Sequence, residues 1–165
     1  MSEPQLVPME VRGLMLDPRS NVPIVVLREQ EGAVFLPIWI GIFEANAIAL
    51  RLEGVDTPRP LTHDLLRSVF EHLDTRVERV IVSDLKDSTF YARIILRKNG
   101  EESELDSRPS DAIALALRTD APIFVNREVL EKAKAVDLAA PVDDEEKLKQ
   151  WLEELEPEDL GDYTM

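Results

Sequence analysis

The residue types that could do chemistry collect in two short segments, each at the start of a predicted helix. The first segment, Arg59-Pro-Leu-Thr-His-Asp-Leu65, places an imidazole beside a carboxylate. His63 and Asp64 could act as a general base and a metal ligand, close to helix N–H groups that favour an anion. The structural alternative makes Thr62 the helix N-cap, lets Asp64 complement the helix dipole and leaves His63 in solvent.

The second segment, Asp106-Ser-Arg-Pro-Ser-Asp111, places two carboxylates around an arginine. Phosphodiester hydrolysis needs such groups, because carboxylates can hold a divalent cation that activates water and an arginine can bind the charged phosphate. The structural alternative is that Pro109 and Asp111 form a stable helix start, with Arg108 in an ion pair with Asp106.

Other candidate residues lie outside these two segments, and several common catalytic motifs are missing from the sequence. Glu44 occupies a similar place at the start of an earlier alanine-rich helix, whereas Asp84 is predicted to shape a hairpin turn with Asp87. Trp39 is predicted to lie in the core or in a subunit interface rather than to stack on bases. The chain has no cysteine and two histidines, so a metal would be held mainly by oxygen. It also lacks a glycine-rich phosphate loop and a nucleophile elbow.

Charge is unevenly distributed along the chain. Acidic residues number 33 and basic residues 19, for a net charge of −14. Residues 137–165 hold 11 acids and two lysines, a net of −9, which leaves −5 for the rest. Thirteen of the 17 other basic residues are arginines, whose planar guanidinium suits phosphate and carboxylate. A nucleic-acid surface is therefore compatible with the composition, although an ordinary mixed-charge surface is the alternative.

Hydrophobic periodicity predicts an α+β fold in which helices pack on a mixed or antiparallel sheet. Alternating apolar residues predict one three-stranded meander over residues 5–40 and another over 77–107, with a turn at Asn99 and Gly100. The other predicted elements are an alanine-rich helix that ends before Gly54, a helix from Thr62 to Leu73, a helix from Pro109, a strand over 122–125, a helix over 127–136 capped by Asn126, and an amphipathic helix over 143–155.

Two segments that each follow a meander suggest an internal duplication. Residues 46–50 read Asn-Ala-Ile-Ala-Leu and residues 111–115 read Asp-Ala-Ile-Ala-Leu, so they differ at one position. The sequence therefore allows a duplicated βββα unit. The alternative is that alanine-rich helices packed on sheets converge on such strings, and helices on opposite sides of their meanders would exclude the duplication.

The chain is predicted to form one domain over residues 1–136, followed by an acidic linker and the C-terminal amphipathic helix in residues 137–165. The longest uncharged run, Gly32 to Phe43, has twelve residues and is too short for a membrane helix. The first five residues do not resemble a secretory signal, so a cytoplasmic location is expected.

Five ordered motifs carry a resemblance to a known family. They are Leu36-Pro-Ile-Trp-Ile-Gly41, Glu44-Ala45, residues 59–65, Thr89-Phe-Tyr-Ala92 and residues 108–115. In order and spacing they resemble the bifunctional nuclease domain family, over about residues 7–135. The resemblance implies an α+β fold with a mixed sheet and divalent-metal-dependent cleavage of both DNA and RNA.

The resemblance suggests roles only for residues within its motifs. Our hypothesis is that Mg²⁺ or Mn²⁺ is held by three carboxylates, those of Asp64, Asp111 and Glu44. His63 would act with the two aspartates in catalysis by assisting the attacking water, and Arg59 or Arg108 would bind phosphate. The alternative is a non-catalytic, homo-oligomeric regulatory or scaffold module, which suits an acidic chain with an amphipathic tail. A homo-oligomer is expected in either case.

Overall fold

A mixed β-sheet with helices on it forms the described part of the chain, residues 5–133 and 136–137 of a computed structural model. The predicted α+β class is therefore confirmed. The elements in chain order are β1 (Leu6–Leu16), β2 (Pro23–Glu29), β3 (Val34–Trp39), α1 (Ile42–Leu52), α2 (Thr62–His72), β4 (Arg76–Lys86), β5 (Thr89–Lys98), β6 (Glu101–Ser107), α3 (Pro109–Thr119), β7 (Ile123–Asn126), α4 (Arg127–Lys132) and β8 (Val136–Asp137).

The eight strands lie in the order β6-β5-β4-β7-β1-β2-β3-β8. Each neighbouring pair is antiparallel except β4 and β7, which are parallel. Because β7 is parallel to β4 and antiparallel to β1, strands β1 and β4 run in opposite directions. Both predicted meanders are present, and each extends outward from β7 toward its own edge of the sheet.

The two meanders and their helices are related as a duplication would require. Helix α1 contacts β1 and β2 of its own meander, and α3 contacts β4 and β5 of the other. The helices also contact each other and share one hydrophobic core, so they lie on the same face of the sheet. A half-turn about an axis perpendicular to the sheet therefore relates the two βββα units. Their common origin stays a prediction.

The core lies between the sheet and the helices α1 and α3. Helix α3 is buried along most of its length, and Ile113 and Leu115 are fully enclosed. Small side chains at Ala112, Ala114 and Ala116 let this helix lie close to the strands. Each enclosed isoleucine or leucine stabilises the fold by roughly 1.5–3 kcal/mol. This packing fixes where the start of α3 stands.

Several predicted element ends are confirmed. Gly54 follows α1 with φ of +67°, the left-handed conformation that glycine adopts at low cost. Asn99 and Gly100 have φ of +52° and +77°, as the predicted two-residue turn between β5 and β6 requires. Asn126 caps α4, since its side chain accepts a hydrogen bond from the Glu128 N–H at 3.3 Å.

Two predicted helix ends are wrong. The N-cap of α2 is Leu61 rather than Thr62, and the Asp64 carboxylate takes over the capping by accepting the Leu61 N–H. Helix α4 ends at Lys132 rather than at 136, because Val136 pairs with Phe35 in a short edge strand.

The predicted helix 143–155 lies outside the described residues, and so does most of the acidic segment 137–165. Within the described ranges, no helix is long and apolar enough to span a membrane.

Candidate functional site

The two predicted segments meet where the starts of α1, α2 and α3 come together. Arg108 donates from Nη2 to Oε1 of Glu44 at 2.6 Å and from Nε to Oδ2 of Asp111 at 2.9 Å. The other Asp111 oxygen, Oδ1, lies 2.9 Å from Nε2 of His63. These four residues form one polar network, the Arg108 cluster. The ion pair predicted between Arg108 and Asp106 is wrong, since Arg108 pairs with Asp111 and Glu44 instead.

Local sequence explains how the cluster is held. Pro109 occupies the first turn of α3 and fixes the backbone directly after Arg108, which is the N-cap. Gly41 is the N-cap of α1, and the Glu44 carboxylate folds back over it. A Cβ at position 41 would meet Oε2 of Glu44, so a larger residue there would require the Glu44 carboxylate to shift.

Asp64 lies outside the Arg108 cluster. Its Oδ2 accepts the Leu61 N–H at 2.9 Å and its Oδ1 accepts Nε of Arg118 at 2.7 Å. The Arg118 side chain is only 4% exposed and also donates to the carbonyl oxygens of Ala114 and Ala47, at 2.9 and 3.0 Å. The Asp64–Arg118 pair therefore joins all three helices.

Arg118 is a site residue that the sequence motifs did not predict. Its signal is faint: an arginine seven residues after Asp111, in an alanine-rich helix whose other residues are mostly apolar. Seven residues are close to two helical turns, so Arg118 falls on the same buried side of α3. A charged residue at such a position needs an acidic partner from another element.

Neighbouring charges and hydrogen bonds keep Asp64 and Asp111 ionised at neutral pH. The hydrogen bond from His63 lowers the pKa of Asp111, and Arg108 lowers it further against the opposing effect of burial. Burial raises the pKa of Asp64, but the Leu61 N–H together with Arg118 and Arg51 outweighs it and holds the pKa below its usual range. Hydrogen bonds to Asp111 and Glu44 raise the pKa of Arg108.

The other candidates are dispersed. Arg59 lies in the loop before α2 and lines a separate cavity of about 420 Å³. Asp106 is exposed on the edge strand β6, opposite Arg93 of β5. Asp84 forms an ion pair with Lys86 at 3.7 Å. Trp39 is buried, as predicted, and donates from Nε1 to Oδ2 of Asp17 at 2.8 Å.

The arrangement does not fit a divalent cation as it is folded. In the described part of the chain, no three histidine, aspartate or glutamate side chains are grouped so that they could hold a metal. Arg108 already supplies a cation between Glu44 and Asp111, and Asp64 is turned toward Arg118. Mg²⁺ or Mn²⁺ would need these oxygens to be released from arginine. The predicted metal site stays a prediction.

Comparison with known proteins adds evidence of relatedness. The sequence profile described as "Bifunctional nuclease domain" matches residues 25–137. The chain is 40% identical over 162 residues to an uncharacterized protein of Mycobacterium tuberculosis, covering 92% of this chain and 97% of that protein. It is 31% identical over 117 residues to bifunctional nuclease 1 of Oryza sativa subsp. indica, covering 67% of this chain and 35% of the rice protein.

The similarity extends to bifunctional nuclease 1 of Arabidopsis thaliana, which is 28% identical over 134 residues, 74% of this chain and 41% of that protein. The chain thus matches nearly the whole mycobacterial relative but only 35–41% of these two plant proteins.

Proposed function

The chain belongs to the bifunctional nuclease domain family, and from this premise we propose that it hydrolyses phosphodiester bonds in DNA and RNA. The plant relatives at about 30% identity are named for nuclease activity. Since this chain spans a minor part of their length, its activity and its substrates are our proposal.

The observation that carries the proposal is that the exposed guanidinium of Arg108 is held in a fixed position. Its side chain is 47% exposed, yet Glu44 and Asp111 fix the guanidinium from two directions. No described residue accepts a hydrogen bond from its Nη1, so this amine can bind a phosphate oxygen. A guanidinium held in place loses little conformational entropy when it binds phosphate. Arg108 is therefore our candidate for compensating charge on the phosphoryl group.

His63 and Asp111 can supply proton transfer beside that arginine. Asp111 orients the imidazole through Nε2, which leaves Nδ1 as the nitrogen that can take a proton from water. The water oxygen would attack phosphorus and its proton would pass to Nδ1 of His63. The bond from phosphorus to the leaving sugar oxygen would break, and that oxygen would take a proton from solvent. Asp64 acts as a positioning residue in this scheme, through its contact with Arg118.

Dependence on Mg²⁺ or Mn²⁺ stays a prediction from the sequence. A divalent cation at Glu44 and Asp111 would have to displace the Arg108 guanidinium. Binding of a phosphate to Arg108 could free the two carboxylates, so metal dependence is best tested with nucleic acid present.

The test is cleavage of labelled single-stranded DNA and RNA with Mg²⁺ or Mn²⁺, beside a reaction with EDTA. We expect Arg108→Gln and His63→Gln to lower the rate by about 10²-fold or more, the scale of general acid–base catalysis. The matched control is Arg93→Gln, because Arg93 is an exposed arginine that pairs with Glu104 on the far face of the sheet. Equal rates for folded Arg108→Gln and the parent protein would refute the assignment.

A second candidate function is the non-catalytic homo-oligomeric module. It is favoured by exposed apolar side chains on two helices. Phe43 at the start of α1 is 85% exposed, and α2 with its C-cap exposes Leu65, Val69 and Leu73 at every fourth position. Such patches are typical of protein contacts. Sedimentation should show an oligomer, and the double substitution Leu65→Gln with Val69→Gln should weaken it. A monomeric parent protein would exclude the homo-oligomeric module.

A cytoplasmic location also stays a prediction.

A further inference from the structure

A polar cavity lies beside the start of α2, on a different side of this helix from the Arg108 cluster. His63 reaches Asp111, whereas the next residue, Asp64, lines this cavity of about 420 Å³. Consecutive helical residues point about 100° apart, so one helix turn serves both places. The other walls are the loop over residues 55–61 and the ends of α1 and α3.

The cavity is locally basic in an acidic chain. Four arginines line it, Arg51, Arg59, Arg67 and Arg118, together with three acidic residues. Two of those acids are already neutralised, since Asp64 pairs with Arg118 and Glu71 pairs with Arg67 at 2.7 and 3.0 Å.

Two arginines in the cavity remain available for a ligand, and the single carboxylate of Asp56 balances only one of their two charges. Arg51 donates from Nε to the Leu117 carbonyl at 3.2 Å and keeps its terminal amines. The side chain of Arg59 is paired with no described residue. An anion would restore the balance of charge here.

The loop that carries Arg59 is stiff and partly apolar. Pro58 and Pro60 restrict its backbone, and the Thr57 hydroxyl donates to the Arg59 carbonyl at 2.7 Å. The proline rings, with Val55 and Leu61, give the cavity an apolar wall. Its volume falls at the small end of the roughly 300–1,000 Å³ seen for ligand pockets, which suits one nucleotide.

We propose that this cavity binds one nucleotide of the substrate, with its phosphate on Arg51 and Arg59 and its base or sugar against Pro58 and Pro60. The ligand class is a nucleoside monophosphate, free or within a strand. This inference rests on the proposed nuclease function, because the strand would pass over the start of α2 to reach Arg108. Arg59 and Arg108 then bind different phosphates.

The test is calorimetric titration of the full chain with uridine 5′-monophosphate, inorganic phosphate and uridine. We expect the monophosphate to bind more tightly than phosphate, and uridine to bind at least tenfold more weakly than the monophosphate. Arg59→Gln and Arg51→Gln should each weaken monophosphate binding about tenfold, with the control Arg93→Gln unchanged. Added salt should weaken binding, since the contacts are ionic. Uridine binding as tightly as the monophosphate would overturn the proposal.

A kinetic measurement separates the cavity from the nuclease activity. With a single-stranded oligonucleotide, Arg59→Gln should raise KM about tenfold and leave kcat near that of the parent. Monophosphate binding lost in Arg59→Gln, in a protein that cleaves nothing, would support the cavity and refute the nuclease. Intact cleavage, with Arg59→Gln changing neither binding nor KM, would refute the cavity alone. If only Arg108→Gln abolished monophosphate binding, the ligand would belong to the Arg108 cluster and the cavity proposal would fail.

Discussion

Glu44 and Asp111 come from different helices but share one guanidinium. Their oxygens lie 2.6 and 2.9 Å from the nitrogens of Arg108, so its charge holds two carboxylates together. Like charges without that cation would repel, and a divalent cation is the natural replacement. Arg108 therefore occupies the place between these carboxylates for which a divalent cation would have to compete.

We predict that Arg108→Gln raises the affinity of the free protein for Mn²⁺ about tenfold or more, which corresponds to about 1.4 kcal/mol. The reason is that glutamine removes the competing positive charge and leaves the two carboxylates in place. Electron paramagnetic resonance of Mn²⁺ measures the bound fraction, with Arg93→Gln as the control. Equal affinities in the parent and in Arg108→Gln would show that arginine does not block a metal here.

We predict that Asp64→Asn lowers the free energy of unfolding by about 2–3 kcal/mol. Removing one member of a buried ion pair costs about 3–5 kcal/mol, and the partial exposure of Asp64 reduces this. The change leaves the buried Arg118 without its counter-charge. Urea denaturation measures the effect.

The control for Asp64→Asn is Glu71→Gln, which breaks the exposed Arg67–Glu71 pair on the same helix and should cost at most about 1 kcal/mol. Similar costs for the two variants would mean that the Arg118 contact contributes little.

The sequence predicted the two polar segments but not the partners of their side chains. His63, Arg108 and Asp111 were singled out because helix starts concentrate polar groups, and the fold brings them into one network. The partner of Asp64 is Arg118, 54 residues away, and no local spacing predicts such a contact. The same holds for Glu44 and Arg108, which lie 64 positions apart in the sequence.

Among the elements, α2 shows what periodicity can and cannot predict. The large apolar residues of α2 and its C-cap recur at helical spacing, which places them on one side of the helix: Leu65, Leu66, Val69, Phe70 and Leu73. In the fold, Leu66 and Phe70 pack against the core while Leu65, Val69 and Leu73 stay exposed. Periodicity fixes which side chains point the same way, but the width of the surface that covers them depends on the neighbouring elements.

The N-terminal caps of α2 and α4 differ in the side chain that forms them. We predict that Asn126→Ala lowers the free energy of unfolding by about 1 kcal/mol, because it removes the acceptor of the Glu128 N–H at the start of α4. Thr62→Ala should change it by less than about 0.5 kcal/mol, since the Asp64 carboxylate caps α2. Thermal or urea unfolding of both variants measures the difference. A larger cost for Thr62→Ala would restore threonine as the cap.

For the whole molecule, ionised aspartates make the fold sensitive to acid. The pKa values of Asp17, Asp64 and Asp111 are all lowered in the folded chain. A carboxyl with a lowered pKa contributes stability above its unfolded value of about 3.9, and the contribution is lost as the pH falls through the folded-state pKa.

We predict that the free energy of unfolding declines steeply as the pH falls below about 4, and that Asp111→Asn flattens this decline. The flattening follows because asparagine binds no proton. Asp106→Asn, on the exposed strand β6, is the control and should keep the slope of the parent. Urea denaturation at a series of pH values measures the slopes. An unchanged slope in Asp111→Asn would separate this residue from acid unfolding.

The order of strands is the part of the fold that sequence could not predict. Alternation and turn residues predicted both meanders and the short strand after α3. They could not predict that this strand, β7, lies between β4 and β1. In the sheet, Val125 pairs with Val82 on one side and with Val7 on the other. Each of these pairings spans a long stretch of chain, which local patterns do not record.

The place of β7 also has a consequence for synthesis on the ribosome. Both meanders emerge before it, and until then β1 and β4 each present an unpaired edge. Open strand edges can recruit other chains, which makes an incomplete nascent polypeptide prone to aggregation. Translation must deliver residues 123–126 before the halves of the sheet can close on each other. The vulnerable interval in the biogenesis of this protein therefore runs from the emergence of the first meander to that of β7.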